Sequence, residues 1–125
     1  MKNRNRTKGH NYEREWARTY RELGFSKAKT SRQASRLLDD CLVDLAFVPF
    51  NHQCKAGYRK GLAYSNIFRD MRTKLADNFP EDDPIQKRPL LISHKKGRKP
   101  EEHLIVLEYN GFMNMLNLLC KNELL

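Results

Sequence analysis

The chain of 125 residues carries 24 Lys or Arg against 15 Asp or Glu, a formal charge of +9. That length suits one domain with a modest core and argues against a second, while the charge selects a polyanionic partner, nucleic acid before membrane. Three cysteines, Cys41, Cys54 and Cys120, are an odd number with no C-x-x-C spacing, which argues against a disulfide framework and a thiolate zinc site, and no apolar run approaches the roughly 18 residues of a membrane span. A soluble, cytoplasmic protein in a reducing compartment is expected.

Residues 1–8 read as a flexible basic arm. Tyr12, Trp16, Tyr20 and Leu23 then recur at helical spacing, and Gly24 stands where a C-cap belongs. A short strand is expected over 25–30, and an irregular or single-turn segment over 31–40. Two strands follow, 42–50 and 51–56, with a bend at Pro49, which cannot donate to a ladder. Ile67, Phe68, Met71, Leu75 and Phe79 repeat as in a helix packed on a sheet, predicting a helix over 62–79. After a loop over 78–89 come strands at 89–93 and 103–109, joined by a basic turn at 94–100, and a last helix over 112–120 that buries Met113, Leu116 and Leu119. This order predicts an α/β fold, one mixed sheet of about five strands flanked by helices.

The excess charge is uneven. Residues 1–36 hold 11 Lys or Arg against 3 Glu, a net of +8, so nearly all of the field comes from that segment.

Within 42–55 a single acid, Asp44, stands in an apolar run with Val43, Leu45, Phe47 and Val48. Burying it is costly unless its charge is met, and a metal ion would meet it. Gln53 and Lys55 share one strand face while His52 and Cys54 share the other. Paired as a hairpin, the two strands would bring Asp44, Gln53 and Lys55 to one rim, where facing side chains lie roughly 5 Å apart. A metal-dependent phosphodiester cleavage site is the expected chemistry. Phosphodiester hydrolysis needs a nucleophilic water and neutralised phosphate charge, and Mg²⁺ supplies both through hard oxygen ligands. The four histidines, His10, His52, His94 and His103, show no zinc spacing and are expected at the surface or behind a site.

Lys8-Gly9-x-x-x-Glu13-Arg14-Glu15, then Leu23-Gly24-Phe25, Ser31 and Ser35, Val43-Asp44 and Gln53-x-Lys55 resemble the PD-(D/E)xK nuclease superfamily. Within it the pattern is most similar to the archaeal and phage Holliday-junction resolvases. The resemblance implies a restriction-endonuclease-like core and a catalytic set of Glu13, Asp44, Gln53 and Lys55, with Ser31 or Ser35 near the scissile phosphate. It implies Mg²⁺, with Mn²⁺ as substitute, held by Glu13, Asp44, Gln53 and the backbone carbonyl of Cys54. Gln53 stands where the family usually has an acid, and Asp39 and Asp40 are the alternative sources of the missing charge. A homodimer acting on four-way DNA junctions is implied, in the host cytoplasm if phage-encoded. A nuclease for other branched or nicked DNA and a non-catalytic DNA-binding module are the alternatives.

Phosphate contacts are expected from Arg4, Arg6 and Lys8 on the arm, Arg32 and Arg36 beside the serines, and Lys95, Lys96, Arg98 and Lys99 in the late turn. Such contacts give affinity without reading sequence. Candidate dimer surfaces are the apolar strand 104–107 and the Met-rich helix 112–119, each equally explained as core.

Overall fold

The computed structural model describes residues 4–57, 62–97 and 99–122, the first three of these by backbone alone. Arg98 and the side chains of Arg4 and Arg6 lie outside the described set.

Helix α1 (Arg4–Glu22) starts five residues before the expected boundary, so the segment taken for a flexible arm is helical from Arg4. No proline interrupts it, and its Arg and Lys residues are good helix formers. Tyr12, Ala17 and Tyr20 are buried along one face, with Trp16 half-buried beside them. The helix closes as a Schellman turn: Gly24 takes φ +116°, and Phe25 N–H donates to the Tyr20 carbonyl at 3.0 Å. Phe25 then packs its ring edge-on against Tyr20. Leu23, expected on the buried stripe, is exposed.

Strand β1 is only Lys29–Thr30 and leads into two short helices, α2 (Ser31–Ala34) and α3 (Arg36–Asp40), where an irregular segment or a single helical turn was expected. Ser35 separates them in extended conformation, and its Oγ accepts from Leu38 N–H as an N-cap. The strand expected over 42–50 shrinks to β2, Leu45–Ala46. Leu42 and Phe47 both take left-handed φ, +65° and +62°. A non-glycine residue in that region breaks an extended run, so the strand stops on both sides of residues 43–46.

Strand β3 (Asn51–Ala56) has the expected bounds. Helix α4 (Tyr64–Asn78) buries Phe68, Met71 and Leu75, and a short 3-10 turn over Pro84–Lys87 leads to β4 (Leu90–Lys95). His94 and Lys95, expected in the late turn, thus belong to a strand. Strand β5 (Leu104–Leu107) and helix α5 (Tyr109–Lys121) complete the order. Met113, Leu116 and Leu119 are only half-buried, and Gly111 is the one buried residue of α5.

The strands form two sheets rather than one. β1 and β2 pair antiparallel, while β3, β4 and β5 form a mixed sheet with β4 central, parallel to β3 and antiparallel to β5. The expected hairpin between the Asp44 segment and β3 is absent. One backbone hydrogen bond, Asp44 N–H to the His52 carbonyl at 2.8 Å, joins them instead. Strand alternation splits the core. His52 and Cys54 face α1 with Tyr12, Ala17, Tyr20, Leu45 and Val48, whereas Leu90 and Ile92 face α4 with Val43, Phe68, Met71 and Leu75.

Candidate active site

Asp44 lies against the free edge of β3 and is only 6% exposed. Its N–H donates to His52, and its own carbonyl accepts from Ser31 N–H at 2.8 Å. Its Oδ2 takes Cys54 N–H at 2.7 Å and Gln53 Nε2–H at 2.8 Å. The carboxylate thereby does for the β3 edge what a neighbouring strand would do, satisfying an N–H that the broken strand cannot reach. Peptide N–H and C=O of one strand residue point to the same side, so the Cys54 carbonyl also faces Asp44.

The electrostatics are those of a crowded acid. Burial raises the Asp44 carboxyl to about 8, with Glu13 and Asp39 raising it further against the Cys54 hydrogen bond and Lys55, which lower it. Glu13 is itself pushed up, first by burial, while Arg32 holds it down. The two form an ion pair between α1 and α2. Helix, β2 segment and β3 thus gather Glu13, Asp44, Gln53 and Lys55 within electrostatic or hydrogen-bond reach, with Asp39 contributing to the field as well. Asp40 is exposed, and its field falls on the Cys41 thiol.

The two serines separate. Ser31 is fully buried, bonded through its backbone to Asp44, and its Oγ has no partner. Ser35 Oγ is occupied by the α3 cap.

A divalent cation suits this donor set in kind, because two carboxylates, an amide oxygen and a peptide carbonyl are hard oxygen ligands. Gln53 gives the sharper test. Its Nε2 donates to Asp44 Oδ2 and, at 3.4 Å, to the Cys54 carbonyl, and its buried Oε1 has no hydrogen-bond partner. A buried acceptor without a donor costs about 1–3 kcal/mol, a deficit that a cation would remove. Among the described residues no three His, Cys, Asp or Glu side chains gather as a metal site, so the amide and the carbonyl would be required members.

The basic residues divide by location. Arg32 and Arg36 lie on α2 and α3 beside the acids, with Arg32 turned onto Glu13. Lys8 and Lys96 are exposed, as is Lys99. Lys95 sits 5.8 Å above the Tyr12 ring, a cation–π contact.

Two histidines expected at the surface or behind a site are buried in the sheet. His52 is fully buried on the α1 face, its Nδ1 2.9 Å from Tyr20 Oη and its Nε2 2.7 Å from Ser93 Oγ. Burial lowers it to about 3, so the ring is neutral. His94 is 2% exposed on the α4 face. Their signal was the alternation of strand residues, which places 52 and 94 on inward faces once the sheet order is known.

No family model, curated protein or solved structure matches this chain. The site has to be read from its own chemistry.

Proposed function

We propose that this chain is a metal-dependent DNA endonuclease that resolves four-way junctions by phosphodiester hydrolysis, built on a restriction-endonuclease-like core and working as a homodimer. The observation that carries this reading is Asp44: a buried carboxyl, surrounded by the field of Glu13 and Asp39, bonded to Gln53 and within reach of Lys55. A structural aspartate has no use for a second acid and an unpartnered amide oxygen beside it.

Glu13, Asp44, Gln53 Oε1 and the Cys54 carbonyl would hold Mg²⁺, or Mn²⁺ in its place. The bound ion would supply Lewis-acid charge at the phosphate. Lys55 orients the attacking water and offsets the charge that builds on the phosphate oxygens. Ser31, bonded through its backbone to Asp44, is the serine assigned next to the scissile phosphate. Arg32, paired with Glu13 here, would be free to contact a DNA phosphate were Glu13 to hold the ion, and Arg36, Lys8 and the turn at Lys96 and Lys99 add sequence-independent affinity.

The two-copy reading draws on charge as well as task. Residues 103–120 contain one charged residue, Glu108, and it is paired with Arg72. That neutral stretch leaves Ile105 51% and Leu118 60% exposed, with Phe112 also exposed. Between two chains of charge +9 a nearly uncharged face meets the least repulsion, and two-fold symmetry would present two sites to two strands.

The test compares Mg²⁺-dependent cleavage of a synthetic four-way junction and of linear duplex by the native protein and by Asp44→Ala. Symmetric junction nicking, lost in the variant, supports resolution. Equal cutting of duplex points to a nuclease of wider scope, and junction binding without cutting by either protein leaves a binding module.

A further inference from the structure

We infer that His94 is a positioning residue for Lys55, fixing the end of β3 from which the lysine projects. The inference rests on the nuclease reading for the role of Lys55, and on the following geometry for the rest.

His94 is the direct partner of Lys55 in the parallel β3–β4 register. Side chains at paired positions stand on the same face, so the imidazole flanks the lysine stem. The ring makes two hydrogen bonds, Nε2 to the Gly57 carbonyl at 3.0 Å and Nδ1 to Tyr64 Oη at 2.7 Å. A carbonyl only accepts, so Nε2–H is the donor to Gly57. With the Nε2–H tautomer, Nδ1 accepts from the Tyr64 hydroxyl, so a single tautomer satisfies both partners. The ring contact with Tyr64 is edge-on, which leaves the hydroxyl aimed at Nδ1.

The two partners give this bridge its consequence. Gly57 lies two residues beyond Lys55, at φ +121°, where the chain turns out of the sheet. Tyr64 is the first residue of α4, and its helix has no side-chain N-cap to hold that end. The imidazole thus ties the exit of β3 to the entry of α4 from within the sheet. Without it, the end of β3 loses its side-chain tie to α4 and keeps its ladder bonds to β4 and the packing of Ala56 against the α1 side. The other face of the sheet is held in the same manner: His52, locked between Tyr20 and Ser93, offers the carbonyl that receives Asp44 N–H. The two histidines bracket Gln53, one behind the acid and one behind the lysine.

Positioning predicts coupling. Displacing a reacting group by about 1 Å can cost on the order of 100-fold in rate. His94→Ala should therefore lower kcat for junction cleavage by about 10- to 100-fold with KM changed by less than about two-fold. His94→Gln, whose amide nitrogen falls near the position of Nε2, should recover most of that loss. In a Lys55→Ala background His94→Ala should cost nothing further, because the group it places is gone. Equal losses with and without Lys55, or an unchanged kcat in His94→Ala, overturn the inference while leaving the nuclease reading intact. A native protein that cuts no DNA overturns both. Should His94→Ala fail to fold, Tyr64→Phe, which removes one oxygen, replaces it in the same double-variant comparison and is expected to lose about 3- to 10-fold, again only when Lys55 is present.

Discussion

Replacing Asp44 by Asn should remove the fall in stability that this carboxyl imposes on the metal-free protein as pH rises. The carboxyl is raised from its ordinary 3.8 to about 8 by burial and by the fields of Glu13 and Asp39. A raised folded-state value means that the native state holds a proton which the unfolded chain gives up. Stability is therefore full below 3.8 and declines as the pH climbs toward 8. Linkage over that window makes the native protein about 3 kcal/mol less stable near pH 7.5 than near pH 5 on account of this one group. Asp44→Asn keeps an oxygen for Cys54 N–H and removes the titration. Urea unfolding in EDTA across this range should thus show the variant overtaking the native protein as pH rises. Added Mg²⁺ or Mn²⁺ should restore the native protein near pH 7.5 and leave the variant unchanged. Parallel stability curves for the two proteins would refute the reasoning, because they would mean that the carboxyl ionises as freely in the fold as in water.

Lys55→Ala should lower the rate of junction cleavage by at least about 100-fold, to a residual rate read in single-turnover assays, while binding measured by gel shift with Ca²⁺ changes little, because the lysine acts on developing charge. Gln53→Glu should tighten Mn²⁺ binding by calorimetry and lower metal-free stability near neutral pH, since a second buried carboxylate would face Asp44 and would need the cation more. Met71→Ala, at a position with no solvent exposure between α4 and the sheet, should cost about 2–5 kcal/mol in chemical unfolding. Leu118→Glu with Ile105→Lys should convert a dimer to a monomer by sedimentation without loss of helical signal, because both side chains are exposed in the single chain.

Much of the local structure was legible because it obeys period. The buried stripe of Tyr12 and Tyr20, the Gly24 stop, the bounds of β3 and the Phe68-Met71-Leu75 face follow from spacing and from a residue that tolerates positive φ. The pairing of the Asp44 segment was not legible. Its residues look like one long strand, but left-handed turns at Leu42 and Phe47 cut it to two paired residues and hand those to β1. Strand propensity describes a residue that fits a half-buried pleated surface, and it does not say which partner will supply that surface.

The sequence by itself determined the charge and its concentration in residues 1–36, the residue types able to hold a cation, and the alternation that puts Gln53 and Lys55 on one face. Only the tertiary structure decided that Asp44 would seal the edge of β3 with its own carboxylate. Long-range packing likewise set Arg32 against Glu13, bonded the backbone of Ser31 rather than Ser35 to Asp44, and buried His52 and His94 on opposite faces of the sheet. These are encounters between side chains far apart in the chain, and nothing periodic in one segment encodes what a different segment will bring against it.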